Sequence, residues 1–230
     1  ISKLFGYGKY TLGTNLSAVI MRNVDTWMLG WYISPAAVAV YNVAIRIANL
    51  FEVPTMALAS VLFPQAVQKA EKEGAGALKG LYEKSVSMLF VMLLPMVIGV
   101  VLFSDFIVEL IAGKDYAEAG FILNITMFYG LIIPFNKQLG ILLDAVGKAK
   151  TNMLFVARNA IINVVLNAVL IPIWGVAGAA YATLFTMVIV LFINQWYLNR
   201  NYQVSWLDIA KNMRFYAVEI PKKMVAKIKA

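Results

Sequence analysis

Six long apolar stretches, at roughly residues 10–33, 37–64, 81–103, 118–143, 152–173 and 177–198, alternate with shorter polar connections. A helix needs about 20 mainly apolar residues to cross the hydrocarbon core of a bilayer. The pattern predicts an all-α, polytopic membrane protein whose residues 1–200 form six transmembrane helices. Residues 201–230 differ and read as a basic amphipathic cytoplasmic tail. Ser205-Trp206-Leu207-Asp208 opens the tail like a capping box, and Trp206, Ile209, Met213 and Ile220 then recur near helical spacing with Lys211 and Arg214 among them. Such a helix suits an anionic inner leaflet.

Polar residues inside the apolar stretches carry the functional signal. An ionisable group at bilayer depth costs several kcal/mol unless it faces protein or a wet cavity. On the first stretch Thr11, Asn15, Ala18, Arg22 and Asp25 fall at steps of three and four, one helical face. On the second, Asn42, Arg46, Asn49 and Glu52 do much the same. Counting about 1.5 Å per residue puts both arginines near the midplane, with Asp25 offset outward and Glu52 inward. Antiparallel helices would then let Arg22 meet Glu52 and Asp25 meet Arg46. Two readings stay open: structural ion pairs locking the helices, or a hydrated, Asn-lined cavity whose arginines take an anion. Arg suits phosphate because its planar fork makes bidentate, charge-assisted bonds.

Lys137 and Arg158 lie about seven residues from the cytoplasmic ends of their stretches, where a long side chain can snorkel to the headgroups. Beside Arg158 runs an amide stripe, Asn152, Asn159, Asn163 and Asn167, which must point inward. Amides donate and accept, and so match sugar hydroxyls. Prolines at 54, 64, 95, 134 and 172 mark bends. Gly175, Gly178, Ala179, Ala182 and Thr183 form a small-residue packing surface. In the connections, Phe106–Ile111 is amphipathic enough for a short interfacial helix, and 67–80 reads as a polar cytoplasmic loop.

Composition narrows the chemistry. The 230 residues are 61% hydrophobic and 14% charged, against roughly 25% charged in soluble domains. There is no cysteine and no histidine, which removes disulfides, thiolate nucleophiles, His/Cys zinc sites and imidazole acid–base catalysis. No cofactor or metal is expected. The net charge of +8 gathers in alternate connections: Lys3 and Lys9; Lys69, Lys72, Lys79 and Lys84; Lys148 and Lys150; then Arg200 and the tail. It is not a nucleic-acid patch. The intervening turns are neutral or acidic, so the positive-inside rule puts both termini in the cytoplasm. The chain opens on Ile1 and shows no cleavable signal pattern, as expected of a piece of a longer polypeptide.

Several runs are recognisable. Ala39-Val40-Tyr41-Asn42-Val43-Ala44 with Ala57-Leu58-Ala59-Ser60-Val61-Leu62-Phe63-Pro64, then Leu110-Ile111-Ala112-Gly113-Lys114-Asp115-Tyr116, Leu143-Asp144-Ala145-Val146-Gly147-Lys148, and Asn163-Val164-Val165-Leu166-Asn167 leading to Gly175-Val176-Ala177-Gly178, follow one another in an order that resembles polysaccharide flippases. The resemblance is to the carboxy-terminal half of the polysaccharide transporter (O-antigen flippase) branch of the multidrug/oligosaccharidyl-lipid/polysaccharide exporter superfamily. It implies one lobe of a MATE-like fold working by alternating access in the cell inner membrane. It also implies, as cargo, a lipid-linked oligosaccharide with an anionic diphosphate. One lobe cannot rock against itself, so an amino-terminal six-helix lobe or a second copy is an expected partner.

On this reading Arg22 and Arg46 hold the diphosphate, Asn15, Asn49, Asn159 and Asn163 the glycan, and Asp25 and Glu52 serve as ion-pair or coupling acids. Lys137 and Arg158 are cationic groups on the cytoplasmic side. Two alternatives are weighed beside it. One is a cation-coupled multidrug exporter using Asp25 or Glu52; the other is a membrane enzyme acting on lipid-linked sugars through Asp105 or Asp115. The deep charges balance, which suits organic-cation cargo poorly, and no acid–base constellation stands out.

Overall fold

A computed structural model describes residues 2–74, 76 and 78–228, with side chains between 8 and 219. The chain forms α1 (Ser2–Tyr32), α2 (Pro35–Asn49), α3 (Glu52–Glu73), α4 (Leu78–Leu102) and α5 (Ser104–Ala112). After a single turn of 3-10 helix at Lys114–Tyr116 come α6 (Glu118–Gly130), α7 (Ile133–Ala145), α8 (Ala149–Tyr202) and α9 (Trp206–Ile228).

Local chemistry explains the boundaries. Ser34 is extended and its hydroxyl accepts from the Ala37 amide at 3.2 Å, while Pro35 supplies a helical φ at the first position of α2. The stretches expected as single helices over 37–64 and 118–143 are each broken. α2 meets α3 at 44° and α6 meets α7 at 42°. A proline lacks an N–H and its ring clashes with the carbonyl four residues back. For Pro54 that carbonyl belongs to Leu50, and for Pro134 to Gly130, which are the breaks observed. Pro64 and Pro95 sit inside helices that continue, and Pro172 lies three residues before the non-helical Gly175 of α8.

At about 1.5 Å per residue, the 54 residues of α8 would measure about 80 Å, far beyond a bilayer core of about 30 Å. The helix is in fact a hairpin. Gly175 has φ 58 and ψ −131, outside the helical region, and the two arms run back along each other. Asn163 faces Thr183, Arg158 faces Asn194, Phe155 faces Tyr197 and Lys148 faces Tyr202. Near the fold-back, a Cβ on Gly178 would fall on the carbonyl oxygen of Leu170, so only glycine permits that approach. The small-residue surface read from the sequence is therefore where the hairpin closes on itself.

α4 and α8 are each long and apolar enough to cross a membrane, and four elements are if each bent pair counts as one span. α5 forms where the short amphipathic helix was expected. α9 begins at Trp206 and lies against α4: Lys79 donates to Asp208 at 2.9 Å, Ser87 to the Ile209 carbonyl at 3.0 Å, and the Ser205 amide to Glu83 at 3.3 Å. The contacts of Ile220 and the basic positions from Lys222 onward lie outside the described side chains.

The interior has two apolar clusters. One joins Leu29, Tyr41, Ala44, Ile47, Phe51, Leu93, Leu123 and Ile171. The other joins Leu62, Leu78, Tyr82, Phe135, Leu139, Leu198 and Ile209. Between the clusters, α2–α3 and α8 carry polar residues: Glu52 and Thr55 on one, Arg158, Asn159, Asn163 and Asn167 on the other.

Candidate functional site

The polar stripe of α1 is exposed at Thr11, Asn15 and Arg22, then buried at Asp25 and Leu29, where α2 and α8 cover it. Asp25, 5% exposed, is the centre of the covered part. Tyr41 on α2 donates to its Oδ2 at 2.6 Å, and Thr183, on the second arm of α8, to the same oxygen at 2.9 Å. Asn167, on the first arm, donates to Oδ1. Asn163 donates to the Thr183 hydroxyl at 3.1 Å, and its carbonyl oxygen holds the Asn167 amide at 3.0 Å. One carboxylate thus ties α1 to α2 and to both arms of the hairpin. Buried charges normally need a counter-ion or several hydrogen bonds, and here hydrogen bonds serve. The side-chain oxygens of Asn163 and Asn167 are buried beside it without partners, so the site is richer in acceptors than in donors.

The expected ion pairs do not form. No bridge joins Arg22 to Glu52 or Asp25 to Arg46 among the described residues. The reason is angular: Arg46 is five residues beyond Tyr41, about 140° around α2. Tyr41 faces inward onto Asp25, so Arg46 must face away. It opens on a cleft of about 380 Å³ lined also by Val43, Leu50, Ile111 and Tyr116. Arg22, Arg46, Asn15 and Asn49 are all exposed on this lobe, and Glu52 is half-buried.

The four residues expected to meet sugar therefore split. Asn15 and Asn49 accompany the arginines on the surface, whereas Asn159 and Asn163 are buried inside the lobe. Asn163 belongs to the Asp25 network. Asn159 accepts from Arg158 Nη2 at 2.9 Å and Nε at 3.2 Å. Arg158 does not snorkel. It reaches sideways to Asn194 at 2.7 Å, which in turn donates to Asn136 at 2.8 Å. Lys137 is half-buried. Spacing along the chain does not single out Tyr41 or Thr183; Tyr41 is one residue of a recognisable run, and Thr183 reads from sequence as part of a small-residue packing surface. Asn136 and Asn194 carried no signal beyond being amides in apolar surroundings.

Solved structures place this architecture. Over 92% of its length the chain superposes on half (50%) of a multidrug resistance MATE family transporter of the MOP superfamily in its outward-facing conformation, with a TM-score of 0.66 at 18% identity. It matches half of a MOP superfamily transporter from Pyrococcus furiosus with a TM-score of 0.61, also at 18%. The fold is that of one half of a MATE-type membrane transporter. Within that class, the model of the polysaccharide biosynthesis protein family matches residues 1–120, and the chain belongs to that family. Its relatives include a "probable low-salt glycan biosynthesis flippase" of Haloferax volcanii, 24% identical over 90% of this chain and 45% of that one. A "probable flippase" of the same organism is 25% identical over 80% of this chain and 39% of that one. The teichuronic acid biosynthesis protein TuaB of Bacillus subtilis is 26% identical over 63% and 30%. The chain spans less than half the length of these curated relatives.

Proposed function

We propose that this chain is one lobe of a flippase that moves a lipid-linked oligosaccharide across the cytoplasmic membrane by alternating access. The observation that carries the reading is the exposure of Asn15 and Arg22 on α1 and of Arg46 and Asn49 on α2, with no acid paired to either arginine among the described residues. Unpaired guanidinium groups at bilayer depth need an anion or water, and a diphosphate flanked by sugar hydroxyls matches two forks with amides beside them. The opposite wall comes from a second six-helix lobe or a second copy of this one. Six spans are α1, the two bent pairs, α4 and the two arms of α8, with both termini cytoplasmic.

Asp25 is the coupling carboxylate. It is buried, touches α1, α2 and both hairpin arms, and lies beside two unpartnered amide oxygens. A proton or small cation taken up there changes the hydrogen bonding of four helical segments at once, a route from charge to lobe geometry. The process is transport without covalent chemistry.

Arg22→Ala and Arg46→Ala in the full-length protein should abolish surface polysaccharide while leaving membrane insertion intact. Normal polysaccharide in both variants would overturn the assignment of the stripe. A loss that a drug-accumulation assay mirrors for organic cations would favour a multidrug exporter instead.

A further inference from the structure

We propose a second anion site, on the lipid-facing side of the α8 hairpin: Arg158 binds the phosphate of an anionic phospholipid. Leu154, Arg158, Ile161 and Val165 recur at steps of four, three and four, one helical face. The three apolar members are 52%, 64% and 55% exposed. The facing arm presents Phe192 and Trp196, 62% and 64% exposed. Around Arg158 this surface is apolar throughout, unlike the Asn- and Arg-bearing faces of α1 and α2, and its natural neighbour is lipid.

The guanidinium is held in place. Nε and Nη2 are bound to the side-chain oxygens of Asn159 and Asn194, and its carbon lies 4.7 Å from the Phe155 ring centroid. Its Nη1 amino group has no partner and no carboxylate reaches it, among the described residues. Lys148 and Tyr202 close the base of the hairpin at 3.1 Å; Arg158 stands about 15 Å further along the arm. Tied sideways, it cannot snorkel to the headgroups, so a headgroup phosphate must come to it, as local thinning around a buried arginine permits.

The occupant is a bilayer phospholipid and not the cargo. One free amino group, Nη1, suits one phosphate oxygen, and the exposed ring of Leu154, Ile161 and Phe192 offers acyl chains a surface while giving sugar hydroxyls nothing. The site is independent of what the transporter carries.

Native mass spectrometry of the purified full-length protein tests this with phosphatidylglycerol, phosphatidylcholine and inorganic phosphate as separate probes. The wild type should retain phosphatidylglycerol about fivefold over phosphatidylcholine, as expected for one basic residue near an anionic lipid surface. Arg158→Gln should bring the ratio to parity and Arg158→Lys should keep most of it. An unchanged ratio in Arg158→Gln, or displacement of the lipid by inorganic phosphate or by a diphosphate lipid, overturns the proposal. A readout that spares Arg158 uses Trp196, level with it on the neighbouring arm. Chain-brominated phosphatidylglycerol should quench a fluorescence component that Trp196→Phe removes, more than brominated phosphatidylcholine does. Equal quenching by the two lipids would also overturn it.

Discussion

Tyr41 of α2 donates its hydroxyl to the carboxylate of Asp25 on α1 at 2.6 Å. That bond replaces the Asp25–Arg46 ion pair that spacing alone suggested, and it sets the division of labour in the lobe. The acid turns inward to hold helices, and the arginines turn outward.

The carboxylate accepts from Tyr41, Thr183 and Asn167 on its two oxygens. Asp25→Asn replaces one acceptor by an amino group facing a donor, and should cost about 1–3 kcal/mol of stability. Tyr41→Phe should cost a similar amount, since bonds to charged groups are worth about 1.5–3 kcal/mol. Thermal unfolding in detergent measures both. The two diverge in transport: Asp25→Asn should abolish it, whereas Tyr41→Phe, which keeps the carboxylate, should retain a measurable fraction. Wild-type transport by Asp25→Asn would remove the coupling role.

Gly178 packs where a Cβ would meet the Leu170 carbonyl. Gly178→Val forces the hairpin arms apart, and a strained core of this kind costs about 1–3 kcal/mol or more. The melting temperature should fall clearly. Gly8→Ala, with open space around its Cβ, should leave it within error, and equal effects of the two would contradict the fold-back.

The attachment of α9 to α4 should weaken in acid. The hydrogen bond from Lys79 holds the Asp208 carboxyl below the usual carboxylate range. A lowered folded value means the contribution is complete above the ordinary carboxylate pKa and is lost as pH falls through the lowered one. The protection factors of the amides over residues 206–219, with the intrinsic pH dependence of exchange divided out, should therefore fall toward low pH. Asp208→Asn should show fast exchange already at neutral pH. Glu83 also accepts from this segment, so Glu83→Gln serves as the control for the part that is not due to Asp208.

Pro54 breaks the α2–α3 pair by its effect on the Leu50 carbonyl. Pro54→Ala should reduce the 44° bend with little change in thermal stability, because Pro54 lies in the first turn of α3, where a proline is tolerated. Transport should slow if the bend serves lobe movement. An unchanged bend and unchanged transport together would show that packing, not the proline, sets the angle.

The sequence by itself was enough for the all-helical, membrane-embedded character, the family, the short helix α5 and the start of α9. These are properties of composition and of spacing along one helix, where a step of three or four residues is a local fact. It placed Asp25 and Arg22 on one face of α1, and that is where local reasoning ended. Which part of that face is covered depends on α2 and on a hairpin arm some 140 residues away in the chain, and no periodicity encodes that. Angular position on the neighbouring helix sent Arg46 outward, and the closeness of the α8 arms at Gly178 brought Thr183 onto Asp25. The proline positions were legible; that Pro54 and Pro134 would lie at bends while Pro64 and Pro95 would not was decided by the packing around them. Tertiary structure chose the partners, because a buried carboxylate takes whichever donors the surrounding helices place within reach.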